Sequence, residues 1–317
     1  MYGVVPITLI FAMVVSVTTG VVAYADFDNP KKQLAYLQPF EIICHKDLVL
    51  LLNNASGDPA CVNPATKTAL IERGWGAEPE PVLNLTEEEL QWIAQNPSIH
   101  VAYDPEWPPI EFRDEHGNMM GIGAQYEFIF ERDLGIDIVQ INVPSWSDAL
   151  LAVQEGDAQI LMLLGHTPDR GVYLDFTEPH SVLPWSMVTL TEQTVGEDDD
   201  LTEMMTFATI TDYEIEKWLD QNRPSVKYVS YKDHAMAFAA LKAGEVDALI
   251  QVWPVAKYTA KSLGFDTVYD AGSIGHDVSL SIGTAKSIPM LGTIIDKALD
   301  RIPVQIREQI LDTTIRD

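Results

Sequence analysis

The chain has 317 residues, 47 of them Asp or Glu and 20 Lys or Arg, for a formal charge of −27. Such an excess of carboxylates excludes nucleic acid as a partner, because phosphate binding needs a basic footprint, and argues equally against docking on anionic lipid. With 47% hydrophobic and 21% charged residues the composition is that of a folding chain, long enough for about two domains.

Residues 1–25 carry no charge and are mostly apolar, so they read as a signal peptide or a membrane anchor. Ala23-Tyr24-Ala25 fits a cleavage site, although no Lys or Arg precedes the apolar run. Either reading sends the remainder outside the cytoplasm, as a secreted, periplasmic or surface-tethered protein. The two cysteines, Cys44 and Cys61, then suggest one disulfide, with two free thiols as the alternative. A metal site around Cys44 and His45 lacks a fourth ligand.

Asp47 to Leu52 reads as a buried strand, Asn53 to Pro59 as a turn, and Ala60-Cys61-Val62 as the returning strand. A short helix over Thr66 to Arg73 is closed by Gly74. Residues 26–76 are therefore expected to form a small two-cysteine unit. An extended linker over 77–85, through Ala77-Glu78-Pro79-Glu80-Pro81, follows it.

Thr86 and Glu89 form a capping box that opens a helix through Gln95. Ile99 to Tyr103 is a strand ended by Asp104-Pro105. Tyr126, Ile129, Phe130 and Leu134 have helical spacing, with Gly135 as the stop, and Ile136 to Val143 is the next strand. A repeat follows. Ser145-Trp146-Ser147-Asp148 leads to Gly156 and the strand Ala158 to Leu161. Ser230-Tyr231-Lys232-Asp233 leads to Gly244 and the strand Asp247 to Ile250. The serines are 85 residues apart and the glycines 88. Two similar βαβ units imply two α/β lobes. Extended stretches near 181–190 and 277–284 are expected to cross between the lobes as a two-strand hinge. The lobes are placed at 86–185 with 279–317, and at 186–278. The acidic run Glu197 to Asp200 reads as a solvated loop, and Ile288 to Leu299 and Val304 to Leu311 as a helical tail.

No phosphate loop, zinc-binding histidine pair or G-x-S-x-G elbow occurs, and no cofactor is expected. The informative residues lie just past predicted strand ends, where open α/β sheets bind ligands. They are Asp104 and Trp107, then Trp146, then Gly165, Thr167 and Arg170. Aromatic walls with one guanidinium suit a small organic anion. Plain packing of the indoles, and pairing of Arg170 with Asp169 or Asp175, are the alternatives.

Residues from about Ile99 to Leu311 resemble the family 3 extracellular solute-binding proteins, with the type II periplasmic binding fold. The motifs are Asp104 to Phe112, Ser145 to Leu150, Thr167-Pro168-Asp169-Arg170, Leu174 to Pro179, and Gly244 to Ala248, in that order. The resemblance implies that Trp107 and Trp146 sandwich a ligand and that Arg170 grips its carboxylate. It also implies that Thr211-Asp212-Tyr213-Glu214 closes from the second lobe. The position that takes an amino acid's ammonium in this family is Val252 here, beside Gln251, and Leu163 and Leu164 replace small polar residues. A carboxylate with an apolar or aromatic body therefore competes with an α-amino acid. The two-cysteine unit resembles a short segment of archaeal extracytoplasmic proteins.

The expected function is a monomeric binding protein that captures an amino acid or related carboxylate for a membrane permease of an ABC-type transporter. A sensory ligand-binding module is the alternative. An enzyme resembling cyclohexadienyl dehydratases would need Glu214, Glu106 or Asp104 as a cleft acid.

Overall fold

The computed structural model describes residues 28–35, 37–45, 47–79, 83–195 and 204–315. The apolar run 1–25, the Glu80-Pro81 step of the linker and the acidic run 197–200 lie outside the described residues. Among the described residues, no helix is long and apolar enough to cross a membrane.

The small unit is an antiparallel sheet of β1 (Val49–Asn53), β2 (Pro59–Val62) and β3 (Gly76–Ala77), in the order β2-β1-β3. Asn53 closes the turn by accepting from the amides of Ala55 and Ser56 at 2.9 Å. The Cys44–Cys61 disulfide forms, and it ties the segment ahead of β1 to β2. Asn63 caps the helix Pro64–Glu72, which starts two residues before the sequence reading placed it. Ala77, read as linker, instead pairs with Leu52. Only glycine fits beside it, since a Cβ on Gly76 would sit 2.5 Å from the Leu52 carbonyl oxygen.

Thr86 and Glu89 cap the helix Glu87–Gln95 reciprocally, as the capping box requires. The first lobe then runs through β4 (Ser98–Ala102), the small antiparallel sheet of β5 (Glu106–Trp107), β6 (Glu111–Arg113) and β7 (Met119–Gly121), and the helix Ile122–Leu134. It continues with β8 (Asp137–Gln140), the helix Trp146–Glu155 and β9 (Ile160–Gly165). β4 lies parallel between β8 and β9. The short strand β10 (Leu174–Phe176) and the long strand β11 (Ser181–Thr189) lead into the second lobe. There β12 (Thr206–Ile210) lies parallel between β13 (Lys227–Tyr231) and β14 (Ala248–Val252). Helices Glu214–Asn222, His234–Ala243 and Trp253–Ser262 complete the lobe. Every residue of β9 and β14 is buried, as expected of strands covered on both faces.

β15 (Tyr269–Ala285) is the return strand. Its first half pairs with β11 beside β14, and its last residues pair with β9 and β10 in the first lobe. β11 and β15 are thus the two-strand hinge, and they join both lobes into one sheet, β13-β12-β14-β11-β15-β9-β4-β8. β15 begins eight residues earlier than the stretch read from sequence. Helices Pro289–Asp300 and Val304–Ile315 close the fold.

The repeat is present, in a different register. Ser145 caps the first helix, whereas Asp233 caps the second; Ser230 and Tyr231 are still in β13. The true offset is the 88 residues of the glycines, which both adopt the left-handed cap. The match between serines was coincidental.

Candidate functional site

The C-terminal ends of β4, β9, β12 and β14 meet at the seam between the lobes. At the end of β4, Asp104 is buried, and its Oδ1 accepts from the Glu106 amide at 2.9 Å. Its Oδ2 accepts from the Tyr213 hydroxyl of the second lobe at 2.6 Å. Burial pushes its carboxyl up to about 6, against the pull of the Tyr213 hydrogen bond. Burial likewise raises the Tyr213 phenol well above its ordinary value. Neighbouring Glu111, fully buried, has its carboxyl raised by burial and accepts from the Asp104 amide at 3.0 Å.

Past β9, a single 3-10 turn, Arg170–Val172, presents Arg170. Thr167 Oγ1 accepts from the Arg170 amide at 3.3 Å. The guanidinium donates to the Gly165 carbonyl and, across the seam, to the Asp212 carbonyl, both at 2.6 Å. It lies 5.2 Å over the Trp146 ring, within cation–π range. Asp169 and Asp175, its candidate surface partners, are instead engaged by Lys217 and Lys286. Among the described residues no carboxylate forms an ion pair with Arg170, and burial lowers its pKa.

Asp212 is the one described non-glycine residue with positive φ, at 64°. That conformation is uncommon for a residue with a Cβ and concentrates at functional sites. It turns the Asp212 carbonyl toward the first lobe, where Trp146 Nε1 also donates to it at 3.0 Å. The Asp212 carboxylate accepts from Ser147. Trp107 Nε1 donates to Gln251 Oε1 at 3.0 Å, and its ring meets Tyr213 edge-on at 6.1 Å. Glu214 bonds His276 at 2.8 Å. Gly165 allows this approach, because a Cβ there would stand 2.8 Å from Glu214 Cγ.

These contacts leave a cavity of only about 30 Å³, room for water but not for an amino acid. Asp104, Trp107, Trp146, Gly165, Arg170, Tyr213 and Glu214 line it. Thr167 and Asp212 lie outside it, on a recess of about 270 Å³ on the far side of Arg170. Gln251 is buried and holds Trp107 from behind. Each indole is already engaged, Trp107 by Tyr213 and Trp146 by Arg170. Trp185, Leu163, Leu164, Val278 and Leu280 complete the lining. For Val278 and Leu280 the cue is strand alternation, since they are two apart on a hinge strand. No cluster of metal-ligating side chains occurs among the described residues.

The model of the bacterial extracellular solute-binding proteins, family 3, matches residues 99–305. The chain is 28% identical over 222 residues to the sensor protein EvgS of Escherichia coli, covering 70% of this chain and 18% of that protein. It therefore spans less than a fifth of that relative's length. It is also 24% identical over 216 residues to a probable histidine-binding protein of Neisseria gonorrhoeae, covering 64% of this chain and 80% of that protein. Among solved structures, the periplasmic VFT2 domain of Bordetella pertussis BvgS superposes with a TM-score of 0.65 at 21% identity, covering 72% of this chain and 98% of that domain. With two lobes, a two-strand hinge and a family match over residues 99–305, the chain belongs to family 3 of the bacterial extracellular solute-binding proteins.

Proposed function

We propose that the chain is an extracytoplasmic ligand-sensing module. Its interlobe seam takes a small carboxylate with an apolar body and passes occupancy to a signalling partner of the sensor-kinase kind. The observation that carries this reading is the latch. Arg170 and Trp146 hold the Asp212 carbonyl, and Tyr213 holds Asp104, all across the lobe boundary. A ligand carboxylate on Arg170 must take the place of the Asp212 carbonyl. Occupancy is thereby converted into a change in how the lobes sit about β11 and β15, which is a signal. A guanidinium buried against neutral carbonyls also gains more from a carboxylate than one already paired. Val252 and the apolar Leu163 and Leu164 favour an apolar body over an α-ammonium group. The likeness to EvgS and to the BvgS domain supports the sensory role and a location outside the cytoplasm.

Delivery to an ABC-type permease is the second reading, favoured by the match to a histidine-binding protein over most of that protein's length. Of the three candidate cleft acids, Asp104 and Glu214 are engaged by Tyr213 and His276 and Glu106 is exposed, which supports binding rather than acid catalysis.

The test takes a ligand found by thermal-shift screening of amino acids and organic acids into the native host. Cells lacking the chain should take that ligand up normally and lose their transcriptional response to it. Lost uptake with an intact response would transfer the proposal to transport.

A further inference from the structure

Three Asn-x-Ser/Thr triplets occur in the chain, at Asn54-Ala55-Ser56, Asn84-Leu85-Thr86 and Asn96-Pro97-Ser98. On a protein exported from the cytoplasm this pattern is the acceptor for an N-linked glycan, provided that the middle residue is not proline. The carboxamide nitrogen takes the sugar, and the pattern requires a hydroxyl two residues on. The acceptor also has to stand clear of the fold, because a glycan is bulky and belongs on the surface. These conditions separate the three triplets. Pro97 rules out Asn96, whose carboxamide moreover donates to the Trp92 carbonyl at 2.8 Å. In the hairpin turn before β2, the Asn54 carboxamide donates to the Gly74 carbonyl at 2.9 Å, and the Ser56 hydroxyl donates to Asn53 Oδ1 at 3.3 Å. Both groups that the reaction needs are engaged there.

Asn84 is held differently. A three-residue turn, closed by the Leu85 amide on the Leu83 carbonyl at 2.8 Å, places it at the apex. Leu83 and Leu85 are half-buried and pack against the core, which leaves Asn84 between them exposed. Its carbonyl accepts from Lys297 Nζ at 3.2 Å, and the same ammonium holds Glu89 at 2.7 Å. That tie fixes the backbone, while no described residue bonds the carboxamide. Thr86 is exposed too. Its Oγ1 accepts from the Glu89 amide at 3.2 Å, which occupies a lone pair and leaves the hydroxyl hydrogen available. The helix cap and the acceptor triplet therefore draw on different parts of one hydroxyl group.

We propose that Asn84 carries an N-linked glycan. The co-substrate is an oligosaccharide joined through its first sugar to a polyprenyl phosphate or diphosphate. The Asn84 carboxamide nitrogen bonds to C1 of that sugar as the bond from C1 to the phosphate oxygen breaks. The lipid phosphate leaves with the electron pair, and one amide hydrogen leaves as a proton to a base of the transferase. The addition breaks no hydrogen bond among the described residues. It sets the glycan where the linker over 77–85 meets the first lobe. The inference rests on the location outside the cytoplasm proposed above and is independent of the ligand class assigned to the seam.

The test is tandem mass spectrometry of the chain purified from its native host, with fractionation of the same cells. Cleavage after Glu80 and Glu87 isolates Asn84 from the other two triplets. The peptide with Asn84 should carry an added sugar mass and release sugar oxonium ions, and the peptides with Asn54 and Asn96 should not. Asn84→Gln keeps the Thr86 cap and should lose the sugar entirely. Thr86→Ser keeps the hydroxyl and the cap and should retain it. An unmodified Asn84 on a chain recovered outside the cytoplasm, or sugar on Asn54 in its place, would overturn the proposal. A chain confined to the cytoplasm would overturn the location, and this proposal with it.

Discussion

The same two lobes meet in two places, and the meetings differ. At the seam, Tyr213, Asp104, Arg170 and the Asp212 carbonyl satisfy one another and leave a cavity of about 30 Å³. In the lateral groove, between the β5–β7 sheet and helices His234–Ala243 and Trp253–Ser262, about 750 Å³ stays open. Complementarity within the chain closes the first, so a ligand there has to compete with the protein's own groups. The second is held open rather than filled by the protein's own groups. The seam is built to convert binding into motion.

Arg170→Met should break this contrast most sharply. It removes one of the lobe-to-lobe ties, and loss of a buried charge partner should weaken carboxylate binding by about 2–5 kcal/mol. Small-angle scattering should report a more open average shape.

Next in size is the titration of Asp104. Its folded value, about 6, lies above the unfolded value of about 3.9. The folded state therefore binds the proton more readily. Its contribution to stability is fully present below the unfolded value and is lost as pH rises through about 6. Two pH units correspond to at most about 3 kcal/mol. Asp104→Asn should flatten the stability curve between roughly pH 4 and 6 and be neutral or stabilising at pH 7. Denaturant unfolding of both proteins across that range checks it.

Tyr213→Phe leaves Asp104 with the Glu106 amide alone and should lower unfolding free energy by about 1–3 kcal/mol. The Tyr213 hydrogen bond favours the carboxylate, so its loss should also move the Asp104 titration upward. The smallest effect belongs to the groove. Tyr258 is 40% exposed, and Tyr258→Ala should change stability by no more than about 0.5 kcal/mol. A larger loss would mean that the groove wall is structural.

Much of this was legible in the residues. The extended stretches 181–190 and 277–284 marked the hinge, and the order of Trp107, Trp146 and Arg170 after successive strands marked the seam. Capping residues fixed the helix starts at Thr86 and Ser145 because their geometry is local. What escaped depended on distant partners. β3 is two residues long and exists because β1 offers it an edge. Trp185, Val278 and Leu280 reach the cavity only because the hinge strands cross it. Asp233, not Ser230, caps its helix because β13 runs on through Tyr231. The left-handed backbone of Asp212, on which the latch turns, has no local signature, since Asp tolerates both conformations.

The most direct test of the account is calorimetric titration of amino acids and organic acids into the wild-type chain and Arg170→Gln. The account predicts that at least one carboxylate binds the wild type and fails to bind Arg170→Gln. Its amide or ester should bind neither. A carboxylate that binds both proteins equally, or a ligand set without carboxylates, would contradict it.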